Sequence, residues 1–378
     1  MRIAIVSSGR LWLCDLAREL CALGHSVCFY SFVPPWRTRQ FGLPGACNRW
    51  LGPYVAPVYA TSRVLAKTRW ATAAQHLLAV TLDRAAAHSV EACDVLIGAS
   101  HLCLATMERV RRRFGAQIIL ERGSRHILSQ RRILEDLGCL RSGTPPVPDW
   151  IVHRELAEYA LAHRIVVPSK HAERSFIEHG VAASKLFRNP YGVDLNMFPP
   201  TPAPPADAPP TIIMVGAWSA RKGCDLLIDA WQKTKTGGTR LLHVGDVDGL
   251  ALPSRPGFIH HDGVDQRRLT QWYGQAHVMA LASREEGLAL VQAQALASGL
   301  PLVATDFTGA EDLKECLADP SAVAIARVND TDSFAAGLDQ QLAKARAMVG
   351  MRDLLGTART RLTWQAYGQR YDAMLRQG

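Results

Sequence analysis

Seven prolines fall within the twelve residues 199–210, and that stretch divides the chain. Proline lacks an amide proton and fixes φ, so a run this dense continues neither a helix nor a central strand. It reads as a semi-rigid connector. The same order of elements begins on each side of it. An apolar run at 2–6 leads into a turn at 7–10, a helical pattern at 11–23 and a second apolar run at 25–30. After the connector come an apolar run at 211–215, a loop at 216–223, a helix at 224–233 and strands at 241–244 and 258–260. Strand, loop, helix, strand is the unit of a doubly wound parallel sheet. The expected class is therefore α/β, with two Rossmann-like domains facing across a cleft, and 378 residues suit two such domains. Residues 1–200 form the first, 201–210 the hinge and 211–362 the second. An amphipathic helix at 363–378 follows, with the first domain as its candidate partner.

One stretch of the second half concentrates the chemistry. The apolar run 278–282 reads as a buried strand, and Ser283-Arg-Glu-Glu-Gly287 follows as a loop bearing two acids. A helix of Ala, Leu, Val and Gln comes next, stopped by Gly299, and residues 301–304 form another strand. Open parallel sheets bind ligands at the carboxyl ends of their strands, so the two acids stand at a ligand edge or are merely solvated. Spacing alone does not separate these readings. In the first half, strands are expected at 95–97, 117–120 and 164–167, a loop-like stretch at 31–59 and one long helix at 61–87. Glu121-Arg-Gly-Ser-Arg-His126 and Pro168-Ser-Lys-His171 each follow a strand directly, with Ser169 an expected N-cap. Gly192, in a turn cluster at 189–194, is expected to supply a positive φ.

Composition narrows the function. The first turn holds a single glycine, Gly9, and lacks the GxGxxG fingerprint of a dinucleotide site. Nine scattered cysteines without CxxC pairs argue for reduced thiols in a cytoplasmic protein, and against a zinc site or disulfide framework. No apolar run approaches the ~18 residues of a membrane span, and the N-terminal run is too short for a signal peptide. The net charge of +9 lies wholly in residues 1–200, which carry 25 Lys and Arg against 15 Asp and Glu; the remainder carries 18 against 19. Arg109-Val-Arg-Arg-Arg113 is the densest run, and Pro34-Pro-Trp-Arg-Thr-Arg39 sets a tryptophan between stiff prolines and two cations. The arginine run suits an anionic surface such as the inner face of a membrane, where the chain would sit peripherally, and the tryptophan segment suits a membrane-surface or acceptor contact or a loop anchored by its tryptophan. A solvated helix face accounts for the arginine run equally well. No nucleic-acid signature occurs, and no such partner is expected.

In chain order, Gly216…Lys222-Gly223, Glu286-Gly287 and Ala295-Leu-Ala-Ser-Gly-Leu-Pro-Leu-Val-Ala-Thr305 resemble family-4 retaining glycosyltransferases of the GT-B fold, the glycosyl transferases group 1. Val166-Val-Pro-Ser169 and Tyr191-Gly-Val-Asp-Leu195 fit the same pattern, while the rest of the first half matches loosely. The resemblance implies transfer of a sugar from a nucleotide-diphosphate donor on the second domain to an acceptor on the first, with retention at the anomeric carbon. The acceptor would be a sugar, a lipid-linked or a small-molecule compound. No cofactor and no metal are implied, since the nucleotide sugar is itself a substrate. Glu286 is implied at the donor sugar hydroxyls and Lys222 at the leaving diphosphate, where developing charge needs preorganised cations and helix amides. Gly9, Gly216, Arg221, Gly287, Leu288, Ala289, Leu290, Gln294 and Glu311 are the implied donor-binding positions, and Arg122 and His126 lie in the implied catalytic region.

Two departures qualify that pattern. Ala217 stands where the family carries an arginine, with Arg221 as a candidate replacement, and Gln294 stands where it carries a ribose-binding glutamate. Asp246-Val-Asp248 reads as a loop coincidence rather than a metal-binding pair, and His260-His-Asp262 lacks a partner at ligand spacing and is expected near the nucleotide base. A nucleotide-sugar epimerase on the same fold is an alternative. A catalytically impaired sugar-nucleotide scaffold is another, resting only on Ala217 and Gln294.

Overall fold

The computed structural model describes residues 1–9, 11–66, 68–140 and 147–377; Arg10, the end of the expected first turn, lies outside them. The first domain runs β1 (Arg2–Val6), α1 (Leu11–Ala22), β2 (Ser26–Ser31), α2 (Pro35–Arg39), β3 (Asn48–Trp50), α3 (Gly52–Leu65), α4 (Ala71–Ser89) and β4 (Val95–Ala99). It continues with α5 (Leu104–Phe114), β5 (Gln117–Glu121), α6 (Ile127–Leu140), α7 (Asp149–Leu161), β6 (Arg164–Val167), α8 (Lys170–Glu178) and β7 (Leu186–Arg188). Its seven strands pair in the order β3-β2-β1-β4-β5-β6-β7, all parallel.

The second domain comprises β8 (Thr211–Val215), α9 (Cys224–Lys233), β9 (Arg240–Val244), β10 (Phe258–His261), α10 (Leu269–Gln275), β11 (Val278–Leu281) and α11 (Leu290–Ala297). β12 (Leu302–Thr305), α12 (Ala310–Lys314), β13 (Val323–Ala326) and α13 (Thr331–Ala347) complete its sheet, ordered β10-β9-β8-β11-β12-β13 and again parallel. Parallel strands covered on both faces read as continuous apolar runs, and β4, β8, β11 and β12 are buried at every residue. Both sheets reverse direction beside their first strand, between β1 and β4 and between β8 and β11. Ligand crevices form at such switch points.

The stretch 31–59 is more ordered than its proline and glycine content suggests. α2 begins at Pro35, whose fixed φ suits a first helical turn, and three residues of β3 add an edge to the sheet. The expected helix at 61–87 is two helices, α3 and α4, and α3 starts earlier, with Pro53 in its first turn. Arg111, Arg112 and Arg113 occupy the last turn of α5, which ends at a left-handed Gly115. Cations are favoured there by the helix dipole, and that end lies at the amino edge of the sheet, away from the cleft. Gly192 does not adopt a positive φ. Its hydrogen is needed because a Cβ would stand 2.3 Å from the amide nitrogen of Trp364.

The last helix, α14 (Trp364–Gln377), leaves the second domain and packs on α1 of the first. Gly368 makes the approach possible, for a Cβ there would come within 2.5 Å of the Glu19 Cβ. Asp372 accepts from His25 Nε2 at 2.8 Å on the same face, and Arg370 holds Asn189 and Pro190 by hydrogen bonds of 2.7 Å each. Arg352 ties the connector to the second domain through Thr201, Tyr273 and Ala276. Gly368→Val is expected to force α14 off α1 and cost about 1–3 kcal/mol. Urea unfolding checks this, and an unchanged midpoint would remove the packing argument.

Candidate active site

The loops at the second domain's switch point carry a compact charge cluster. After β8 the chain turns through Gly216, at φ 131°, and reaches α9 through Gly223, at φ 65°. A Cβ on Gly223 would lie 1.9 Å from the carbonyl oxygen of Ala282 at the end of β11, so only glycine lets the two loops meet. Glu286 therefore faces Lys222 and Arg221. Lys222 Nζ donates to Glu286 Oε1, and Arg221 Nη1 reaches the same oxygen at 3.0 Å and the Glu285 carbonyl at 3.0 Å. Burial works against the Glu286 charge, but Lys222 and then Arg221 outweigh it and hold the pKa below the usual carboxylate range. Arg284 locks the loop from behind, donating to Asp225 through two nitrogens at 2.6 and 2.8 Å.

The first domain closes against this cluster. A Cβ on Gly287 would stand 2.0 Å from the carbonyl oxygen of Gly123, so the β5–α6 loop and the β11–α11 loop touch backbone to backbone. Ser124 Oγ donates to Glu285 Oε1, and Gln130 Nε2 donates to the same oxygen at 3.1 Å. Ser169, which also caps α8, donates to the Gly287 carbonyl at 2.7 Å. His171 Nε2 donates to the Glu286 carbonyl at 2.7 Å, and burial lowers its pKa to about 4, so the ring is neutral. Arg125 lies over the Phe307 ring at 4.3 Å across the same seam.

Several expected residues are brought together and others are not. Glu286, Lys222 and Arg221 meet, and Gly216 packs beside the Lys222 stem. Ala289 is the N-cap of α11, so Leu288, Ala289 and Leu290 turn their amides at that helix start, although the Leu288 side chain is buried. Gln294 is buried, accepts from Tyr273 OH at 3.5 Å, and lines a cavity of about 130 Å³ with Asp15, Asp194, Gln266, Leu290 and Trp364. Gly9 stands apart, on a groove of the first domain.

Three of the expected residues are engaged with partners of their own. Arg122 is buried on Glu155 at 2.9 Å and donates to Gln130 at 2.7 Å, so its charge is already neutralised and supports the seam rather than a phosphate. His126 points into the first domain, stacked on His179 at 4.3 Å, and burial with the neighbouring His179 and Arg122 charges lowers its pKa to about 4. Glu311 is half exposed and pairs with Lys170 and Arg174 across the domain boundary. His260 stacks on His243, with their Nδ1 atoms 2.9 Å apart, and His261 packs on Trp272.

Glu285, Ser124, Gln130 and His171 were not singled out by sequence reasoning, although Glu285 and Ser124 lie in loops that follow strands and Gln130 and His171 lie in the first turns of α6 and α8. Glu121 was quoted only as the start of such a loop. It is fully enclosed, accepting from Trp12 Nε1 at 2.8 Å and from Tyr367 OH of α14 at 3.2 Å. Burial, opposed by these bonds, pushes its pKa up to about 7. The same Trp12 lies under Gly123, where a Cβ would meet its ring at 2.3 Å. Glu121 thus joins α1, α14 and the loop that touches Gly287.

Residues 209–344 match the profile of the family described as glycosyl transferases group 1. A D-inositol 3-phosphate glycosyltransferase of Xylanimonas cellulosilytica is 28% identical over 198 residues, covering 45% of this chain and 47% of that protein. The chain thus spans about half the length of the curated relatives it matches. Among solved structures, sucrose-phosphate synthase from Thermosynechococcus elongatus superposes with a TM-score of 0.69 at 19% identity, covering 100% of this chain and 98% of that one. HepE from Anabaena, solved with UDP and glucose, gives a TM-score of 0.64 at 14% identity over 100% of both chains.

The Glu121 carboxyl gives a pH test. Below about 4.5, its ordinary value, it is protonated folded and unfolded; above about 7 it is ionised in both. Between these limits only the folded chain keeps the proton, so the stability this group contributes falls as pH rises. The stability of the native protein relative to Glu121→Gln is expected to drop by ~3 kcal/mol across that window. Parallel pH profiles for the two proteins would refute the assignment.

Proposed function

We propose that this chain, which has the GT-B fold and whose residues 209–344 match the glycosyl transferases group 1, is a retaining, metal-independent glycosyltransferase of family 4. It moves a sugar from a nucleotide-diphosphate donor to an acceptor held on the first domain. The observation that carries this reading is the Lys222–Glu286–Arg221 cluster at the switch point of the second sheet. Glu286 holds both cations in place. An arriving diphosphate competes for them, and each negative charge it brings is met by a preformed positive one. Glu286 is then released toward the sugar hydroxyls.

The bond from the anomeric carbon to the diphosphate oxygen breaks as the acceptor hydroxyl attacks the same face. The leaving oxygen takes the acceptor proton, so charge is balanced without a metal. Arg221 supplies the cation that Ala217 lacks, since its guanidinium already turns inward onto Glu286 and the Glu285 carbonyl. That orientation weighs against an impaired scaffold. HepE was solved with UDP and glucose, which supports a nucleotide-sugar donor.

Lys222→Ala and Glu286→Ala are each expected to lower transfer by more than about 10²-fold, because preorganised charge and positioning contribute a few kcal/mol. A panel of nucleotide sugars, screened by thermal shift, identifies the donor first. Near-normal transfer in both variants, or no shift with any donor, would sink the reading.

A further inference from the structure

A groove of about 480 Å³ opens in the first domain between the loop after β2, β3 and α3, and it reaches Gly9 at the carboxyl end of β1. Its walls are Phe32, Pro34, Trp50, Ala56 and Tyr59. They are fixed before any ligand arrives. Trp50 Nε1 donates to the Phe32 carbonyl at 3.1 Å, and the Trp50 ring lies so close to Gly52 that a Cβ there would be 2.2 Å from it. Tyr59 packs on Phe32 with ring centroids 5.4 Å apart. A bare sugar ring would leave its hydroxyls unpaired against such walls, at a cost of ~1–3 kcal/mol for each buried group.

The surroundings are basic as well as apolar. Residues 31–82 contain six Lys and Arg and no Asp or Glu. Arg37 lines the groove and is exposed, and among the described residues it pairs with no carboxylate. α3 buries only Gly52 and Val55, and Trp36, Tyr54, Val64 and Trp70 are exposed by 62%, 64%, 78% and 55%. Aromatic and aliphatic side chains among cations, of which Arg49 is paired with Glu91, match the interface of an anionic lipid layer.

We infer that the acceptor is a lipid-linked anionic amphiphile whose chain lies in this groove, with its charge on Arg37 and its hydroxyl directed past Gly9 into the cleft. The continuity of the groove with the switch point of the first sheet favours a substrate over a docked protein. The inference rests on the proposed transferase reading and adds the chemical class of the acceptor.

The full chain is titrated with octyl phosphate below its micelle concentration, followed by tryptophan fluorescence, with glycerol phosphate and octyl glucoside as headgroup-only and uncharged controls. Octyl phosphate is expected to bind at least about tenfold more tightly than either control. Ala56→Trp, which fills the groove, and Arg37→Gln are each expected to weaken it by about tenfold or more, while Arg111→Gln at the opposite sheet edge leaves it unchanged. Arg37 is exposed, so its variant tests the idea even if Ala56→Trp fails to fold. Equal binding by native protein and Arg37→Gln, or no preference over the controls, overturns the inference. Donor thermal shifts on the same samples separate the two readings: a donor shift without amphiphile binding removes the groove alone, and amphiphile binding without any donor shift removes the transferase.

Discussion

The contact between Gly123 and Gly287 is the constraint on which the cleft depends. Two backbones meet where any side chain would intrude, and four side chains of the first domain bond the loop beside that point. Ser124 and Gln130 hold Glu285 from one side, while Ser169 and His171 hold the carbonyls of Gly287 and Glu286 from the other. The loop bearing Glu286 is thus fixed by the first domain, although it belongs to the second. Enclosure strengthens its attraction to Lys222 and Arg221, because charges interact more strongly away from water. The same enclosure makes a lost partner costly, since an unpaired buried charge retains its full desolvation penalty.

The domain pair was legible because its strands are covered on both faces and therefore appear as short continuous apolar runs. The connector was legible because proline removes the amide that a ladder or helix needs. The stretch 31–59 was not, since α2 and β3 are too short to show a period and carry prolines that also serve helix starts. Gly192 was assigned the wrong reason. A glycine demanded by close approach leaves the same letter in the sequence as one demanded by φ, and the neighbour that excludes a Cβ lies more than 170 residues away.

Lys222 and Glu286 were expected together from strand-end position and family resemblance, and the structure pairs them. Glu285 was missed although it adjoins Glu286. Nothing local told that Glu286 meets Lys222 and Arg221 while Glu285 lies between Arg221 and Ser124. Arg122 and His126 were expected to face the cleft because position after a strand suggests exposure to it. Their neighbours on α7 and α8 decide otherwise: Glu155 and Tyr159 claim the arginine, and Phe176 with His179 encloses the imidazole.

The two departures on the second domain have separate physical settings. At Ala217 a cation is absent, yet Arg221 brings one to the same carboxylate from four residues on. At Gln294 a negative charge is absent, and the cavity it lines, about 130 Å³, already holds Asp15 and Asp194. A glutamate would place a third carboxylate in that space, and like charges so confined drive one another toward protonation. The amide keeps an acceptor oxygen for a hydroxyl and adds a donor for a neighbouring carboxylate. Gln294 therefore fits the acidity contributed by α1 and the 189–194 turn, and its identity is set by the first domain as much as by the one that carries it.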